Sequence, residues 1–180
     1  MTPPAAGTAR PVVIDTNIVL DLFVFHEPTL QVLRDALHKG ALHWVATQAM
    51  QDELVRVLGY PNIVRWMSRQ RQVPEQVLAE VATLCHLLPE AVLTPTPTPT
   101  PSALRCRDPD DQKFIDLALA QRALLLSKDH EVLRLAQPLR GQGITVSAIF
   151  SLCSLWGAGR LPLQQNGDRS DQLHGTATAL

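Results

Sequence analysis

Two aspartates in this chain directly follow short apolar segments, which is where parallel α/β proteins place their ligands. Asp15 ends the segment 11–15, and Asp129 comes two residues after the segment 123–127. Both segments have the length and the continuous apolar character of a strand that is buried on both faces. In open parallel sheets, ligands bind outside the carboxyl ends of the strands. A single aspartate after a strand is often only a helix cap or a turn residue, so neither one indicates a site alone.

A third acid, Glu53, lies on the inner face of a predicted helix. It follows Met50 by three residues and precedes Val57 by four, and residues at these spacings share a helix face. An ionised carboxylate is costly to bury without a partner. Two alternatives remain open for Glu53: a role in a metal site, or an ion pair with Arg56 or Arg65.

Three further aspartates crowd the start of another predicted helix, and their spacing separates them. Asp111 precedes Phe114 by three residues and Ile115 by four, so it shares their inward face. Asp110 is rotated from it by about 100°, and Asp108 is the natural N-cap. Asp111 is therefore the candidate for chemistry, and the other two are candidates for structural or supporting roles.

Carboxylates that converge on one point repel each other unless some are protonated or a cation lies among them. Oxygen ligands without a cluster of cysteine or histidine favour Mg²⁺ or Mn²⁺. Such a site can activate water and stabilise charge during phosphodiester cleavage. The chain has 180 residues and a formal net charge of -1, so its overall charge does not favour a polyanion. A bound metal ion could nevertheless attract a polyanion, such as a nucleic acid, to an acidic site.

The elements that must position these acids alternate between strand and helix. Strands are predicted at 11–15, 42–46, 123–127 and 144–146. Helices are predicted at 28–39, 47–58, 62–72, 74–88, 108–121 and 129–136, and a further apolar helix runs to residue 156. This alternation predicts an α/β fold whose mainly parallel sheet is covered by helices on both faces.

Composition divides the chain into one domain and two tails. A Pro-rich N-terminal tail at 1–10 and a C-terminal tail at 157–180 are expected to be disordered, and the domain spans 11–156. Four Thr-Pro pairs at 94–101 favour an extended spacer within it. Three widely spaced cysteines fit neither a disulfide framework nor a zinc site. No segment has the features of a signal peptide or the length of a membrane span, so we expect a cytoplasmic protein without a membrane partner.

Four motifs, in order, give the chain a family resemblance over residues 12–150. They are Val-Ile-Asp-Thr-Asn at 13–17, Asp-Glu-Leu-Val-Arg-Val-Leu at 52–58, Cys-Arg-Asp-Pro-Asp-Asp-Gln-Lys-Phe at 106–114 and Leu-Leu-Ser-Lys-Asp at 125–129. The sequence resembles the PIN-domain family of ribonucleases. It looks most like the branch described as toxin components of toxin–antitoxin systems (VapC-like).

The resemblance implies a three-layer α/β/α sandwich that cleaves RNA with Mg²⁺ or Mn²⁺. It also implies a homodimer and an antitoxin protein as partner. The catalytic and metal-binding residues carried over from the family are Asp15, Glu53, Asp111 and Asp129. Supporting positions fall on Thr16, Asn17, Ser127, Asp110 and Glu131. We expect hydrogen bonds from the first three of these to orient carboxylates, while Glu131 is either a fifth acid or an exposed helix residue.

Other classes of protein fit the acids less well. A phosphatase of the haloacid dehalogenase type needs a second aspartate two residues after the first, and Asn17 stands there. A response-regulator receiver needs paired early acids, and Asp21 comes too late. The remaining alternative is a catalytically silent PIN-like module that binds or adapts in RNA processing. His130 lies near the proposed site, either as a substrate contact or as an ordinary first-turn helix residue.

Overall fold

The computed structural model describes residues 9–90 and 102–148. Most of the predicted N-terminal tail, the Thr-Pro spacer at 94–101, the apolar helix predicted to end at residue 156 and the C-terminal tail lie outside these residues. Within them, no helix is long and apolar enough to cross a membrane.

The centre of the protein is a sheet of five parallel strands in the order β3-β2-β1-β4-β5. The strands are β1 (Arg10–Ile14), β2 (Leu42–Thr47), β3 (Cys85–Leu88), β4 (Leu124–Leu126) and β5 (Val146–Ser147). The predicted parallel α/β class is therefore confirmed.

Eight helices connect or follow these strands within the described ranges. They are α1 (Thr16–Phe23), α2 (Gln31–His38), α3 (Gln48–Leu58), α4 (Pro61–Arg69), α5 (Pro74–Leu84), α6 (Gln112–Gln121), α7 (His130–Leu133) and α8 (Ala136–Gly141). A three-ten turn at Pro28–Leu30 precedes α2, and another lies at Ser102–Leu104. The sequence predicted neither α1 nor α8.

The sheet separates two hydrophobic clusters, which shows the three-layer architecture. Val12 and Ile14 of β1 pack in the cluster that contains apolar residues of α1 to α5. Val13, between them, packs in the cluster formed mainly with α6, α7 and α8. Successive side chains of a strand point to opposite faces, so β1 is buried by helices on both sides. The predicted α/β/α sandwich is confirmed.

Strands β1 and β4 are neighbours at the point where the order of strands along the sheet changes direction. From β1 the chain moves outward to β2 and β3, and it then returns to add β4 and β5 on the other side of β1. Ile14 pairs with Leu126, and the Asp15 amide donates to the Leu126 carbonyl at 2.9 Å. The carboxyl ends of β1 and β4 therefore form the topological switch point, where α/β proteins bind ligands.

The helix predicted at 74–88 is wrong in its last turn. Helix α5 ends at Leu84, and Cys85 adopts an extended backbone with φ -97° and ψ 131°. Residues 85–88 form the edge strand β3, in which Cys85 pairs with Trp44 and Leu88 pairs with Thr47. A short apolar run satisfies both a helix face and a strand, so periodicity alone does not distinguish the two.

The predicted start of the helix at residue 108 is also wrong. Helix α6 begins at Gln112, with Asp111 at its N-cap position. Asp108 instead closes a turn before the helix, because its Oδ1 accepts the Asp110 amide at 2.9 Å. Aspartate favours such local turns as strongly as helix caps.

Candidate active site

Asp15 is held rigidly at the end of β1 although it is only 2% exposed. It is the N-cap of α1, and its Oδ1 accepts the backbone amide of Asn17 at 3.4 Å. The Ser127 hydroxyl, at the end of β4, donates to Asp15 Oδ2 at 2.6 Å. These bonds fix the carboxylate at the switch point between the two strands.

Ser127 also connects Asp15 to Asp129. Its Oγ accepts the Asp129 amide at 2.9 Å, while its proton goes to Asp15. Asp129 is the N-cap of α7 and accepts the Glu131 amide at 2.7 Å. Both aspartates therefore have the helix-capping role expected of aspartate after a strand. Capping also holds their carboxylates at the same edge of the sheet.

Glu53 has an ion pair that brings α3 and α6 together. Its Oε2 contacts Lys113 Nζ, and the two side chains are only 16% and 20% exposed, respectively. The arginine partners considered from the sequence are wrong, because Arg56 and Arg65 are both exposed and form no ion pair with Glu53. Lys113 was missed as a site residue. Two features of the sequence could have indicated it: the buried Glu53 needed a positively charged partner, and Lys113 lies two residues after Asp111.

Asp111 lies half-buried at the start of α6, and Asp110 is exposed. This difference in exposure agrees with the predicted inward position of Asp111, although both residues precede α6. The Asp111 carboxylate caps no backbone amide, and it has no hydrogen-bond or ion-pair partner among the described residues. In this respect it differs from Asp15, Glu53 and Asp129.

The acids act on each other electrostatically. The pKa of Asp111 is raised from 3.8 to about 6. Burial is the largest cause, and the carboxylates of Asp15, Asp129, Asp108 and Glu53 contribute the remainder. Burial also raises the pKa of Asp15, with smaller contributions from Glu53 and Asp129, against the lowering effect of the Ser127 and Asn17 hydrogen bonds. Like charges nearby disfavour ionisation. All four predicted site acids therefore contribute to one local field.

The supporting residues have mixed outcomes. The expected orienting hydrogen bond is confirmed for Ser127, whereas Asn17 contributes only its backbone amide. Thr16 is buried at the start of α1, and no hydrogen bond joins its hydroxyl to a carboxylate within the described ranges. Glu131 is half-buried and lies 3.2 Å from Arg134 and 4.0 Å from Arg107, so it is not simply an exposed helix residue. His130 is exposed and lies in the first turn of α7, which is one of the two alternatives that the sequence left open; a contact with substrate stays untested.

The donor chemistry of the four acids fits a divalent cation, because it is oxygen-only and because burial and neighbouring carboxylates raise the pKa of Asp15 and of Asp111. The side chains are not gathered into a finished metal site. In the described part of the chain, no three His, Cys, Asp or Glu side chains are arranged to hold an ion. Asp15 and Asp129 are turned to hydrogen-bond donors and Glu53 to Lys113. The four acids thus interact electrostatically, while Asp15, Glu53 and Asp129 each contact a hydrogen-bond donor or a lysine.

The domain belongs to the class of parallel α/β/α sandwiches, in which the carboxyl edge of the sheet at the switch point is the usual place for a ligand. The family model of the PIN domain matches residues 11–131, and the chain belongs to this family. The members of the family are generally nucleases.

A solved structure shares the fold. It is the crystal structure of VapBC2 from Rickettsia felis bound to a DNA fragment from their promoter. The TM-score is 0.53 at 11% sequence identity, over 77% of this chain and 98% of that one. No curated protein sequence matches the chain.

Proposed function

We propose that the protein is an endoribonuclease that cleaves RNA phosphodiester bonds with Mg²⁺ or Mn²⁺, and that it is the toxin of a toxin–antitoxin pair. The observation that carries the proposal is the state of Asp111. Its carboxylate is half-buried and unpartnered among the described residues, and burial, together with smaller contributions from nearby carboxylates, raises its pKa to about 6. Such a group is stabilised most directly by a cation placed among the acids.

The residues of the proposed site have different roles. Asp15, Glu53, Asp111 and Asp129 would hold the cation, and the bound cation would activate water and stabilise the charge that develops on the phosphate. Ser127 keeps Asp15 and Asp129 in a fixed relation, so part of the site is organised before any ligand arrives. Glu53 is paired with Lys113; if Glu53 held the cation instead, the ammonium group of Lys113 would be free to bind a phosphate oxygen.

The toxin assignment depends on the family and on the fold shared with VapBC2. By analogy, an antitoxin protein would bind this chain and block it. A homodimer also stays a prediction.

A second function has one specific observation in its favour. Because Glu53 is paired with Lys113 and no finished metal cluster is present among the described residues, the chain could serve as a PIN-like binding module without catalysis. RNA cleavage would then be absent at any metal concentration.

A matched pair of variants on α3 tests the proposal. Glu53→Gln removes a proposed ligand, and Asp52→Asn removes the neighbouring acid, which is exposed and accepts only from Gln48. Purified protein would be incubated with defined single-stranded RNAs in Mn²⁺ or in chelator. We expect the wild type and Asp52→Asn to cleave in Mn²⁺ only, and Glu53→Gln to lose most of the activity. Equal cleavage by all three proteins, or none by the wild type, would contradict the nuclease proposal.

A further inference from the structure

A second feature of the chain has the opposite charge to the acidic site. Residues 54–74 contain four arginines and no aspartate, glutamate, lysine or histidine, so this stretch carries a net charge of +4, whereas the whole chain carries -1. The arginines are Arg56, Arg65, Arg69 and Arg71, and all four are exposed. Within residues 9–90 and 102–148, none of them has a carboxylate partner. Local concentrations of unpaired arginine favour binding of polyanions.

Helix α4 presents two of these arginines beside an aromatic ring. Ile63 and Met67 form its buried face. Arg65 and Arg69 are four residues apart and therefore adjacent on the outer surface, and Trp66 precedes Arg69 by three residues. The Trp66 side chain is 41% exposed. The outer face of α4 thus combines two cations with an accessible indole.

A second exposed aromatic ring lies against the first. Phe25, which is 36% exposed, contacts Trp66 edge-to-face with ring centroids 5.5 Å apart. The side-chain amide of Gln72 donates to the Phe23 carbonyl at 2.6 Å, which ties the chain after α4 to the end of α1. This packing holds both rings in place. We name Phe25, Arg65, Trp66 and Arg69 the α4 patch.

We propose that the α4 patch binds single-stranded RNA, with its arginines on phosphates and a base stacked on its aromatic rings. Arginine neutralises phosphates, and base stacking on aromatic side chains is how proteins bind single strands without reading sequence. A duplex would not offer unstacked bases to these rings. Arginine and aromatic residues are also enriched in protein interfaces, so the test below includes a protein partner on this surface as an outcome.

The patch lies away from the carboxylates, so it contacts a flank of the RNA. Asp15 begins α1 and Phe25 follows its other end. Eight helical residues span about 12 Å, so an RNA must extend beyond the carboxylates to contact the patch as well. This inference rests on the proposed function only in its choice of RNA as ligand. It predicts that RNAs of about four nucleotides bind much more weakly than those of about twelve.

Binding is measured without cleavage, by fluorescence anisotropy of a labelled oligouridylate of about 12 nucleotides in chelator. The double variant Arg65→Gln/Arg69→Gln should reduce the slope of log K against log salt by about 1.4. Trp66→Leu should weaken binding roughly 5- to 100-fold with the slope unchanged, and Trp66→Phe should restore most of it. The matched control Lys39→Gln/Arg140→Gln removes two exposed cations elsewhere and should change neither quantity.

Several outcomes would overturn the inference. One is an Arg65/Arg69 double variant that binds like the Lys39/Arg140 control. Another is a Trp66→Leu variant with the melting midpoint and the RNA affinity of the wild type. A third is a Trp66→Leu variant that has lost a dimer, as measured by light scattering, while its RNA affinity is unchanged. The last result would assign the surface to a second copy of the chain. If RNA binding depends on the α4 patch but the wild type does not cleave RNA in Mn²⁺, the nuclease proposal is refuted and the RNA-binding inference is supported.

Discussion

Replacing Asp111 and Asp110 separately tests the electrostatic argument for the site most directly. The two residues are adjacent, but Asp111 is half-buried among other acids and Asp110 is exposed. Asp111→Asn keeps the shape of the side chain and removes its charge. It costs no helix cap, because the Asp111 side chain caps no amide of α6. We expect the variant to fold and to lose most of its Mn²⁺-dependent cleavage of RNA.

The same substitution should stabilise the metal-free protein above pH 6. The pKa of Asp111 is raised from 3.8 to about 6, so the folded state binds a proton more tightly than the unfolded state does. The contribution of Asp111 to the free energy of unfolding is therefore most favourable below pH 3.8, falls as the pH rises to about 6, and stays lowered above it. A rise of this size corresponds to about 3 kcal/mol if the group were fully shielded. Solvent screening at this half-buried position reduces the expected effect to roughly 1 kcal/mol.

Thermal melts in chelator would measure this effect. Relief of about 1 kcal/mol should raise the midpoint of Asp111→Asn by about 2–4 °C at a pH of about 8, and by almost nothing at a pH of about 4. Asp110→Asn should change the midpoint little at either pH and keep substantial cleavage activity. It loses only a favourable interaction with the α6 dipole, of about 0.3–1 kcal/mol.

The refuting result is an exchange of the two phenotypes. If Asp110→Asn is inactive and Asp111→Asn is active, the inward face of α6 has been assigned to the wrong residue. If Asp111→Asn lowers the midpoint at a pH of about 8, its carboxylate has a stabilising partner and the charge-crowding argument fails.

Three other perturbations have defined outcomes. Millimolar Mn²⁺ should raise the melting midpoint of the wild type by mass action, and no shift together with no heat of binding in calorimetry would exclude the metal site. Lys113→Gln should lower the midpoint in chelator, because Glu53 loses its counter-ion, and should enlarge the Mn²⁺-induced rise; a smaller rise would show that Lys113 does not compete with metal. Ser127→Ala should cost about 1–3 kcal/mol in denaturant unfolding, since the buried Asp15 loses its hydroxyl donor, whereas an unchanged free energy of unfolding would show that the bond to Asp15 is not needed for stability.

The parts of the fold that the sequence predicted correctly are those whose pattern has one physical solution. Short, continuously apolar runs predicted β1 and β4, as is typical of strands buried on both faces. The segment 42–46 predicted β2, although His43 interrupts its apolar run. Asp15 and Asp129 follow two of these runs. Their place at one edge therefore needed only the parallel arrangement, which the alternation of strands and helices predicted.

The errors occurred where a local pattern has two solutions that tertiary packing decides. Residues 85–88 continue the apolar face of α5 but complete the sheet as β3, since pairing with β2 satisfies their backbone. Asp108 has the residue type of a helix cap and forms a turn instead. The Glu53–Lys113 pair joins residues 60 positions apart, and no local rule predicts such a contact.

The four acids of the proposed site have unequal partners, and this inequality singles out Asp111. Lys113 neutralises Glu53, Ser127 donates to Asp15, and the Glu131 amide donates to Asp129. These contacts offset part of the repulsion among the carboxylates. Asp111 has no such partner among the described residues and carries the pKa of about 6. The free energy available to a bound cation is therefore concentrated at Asp111, which is why its removal should both stabilise the metal-free fold and abolish the metal-dependent activity.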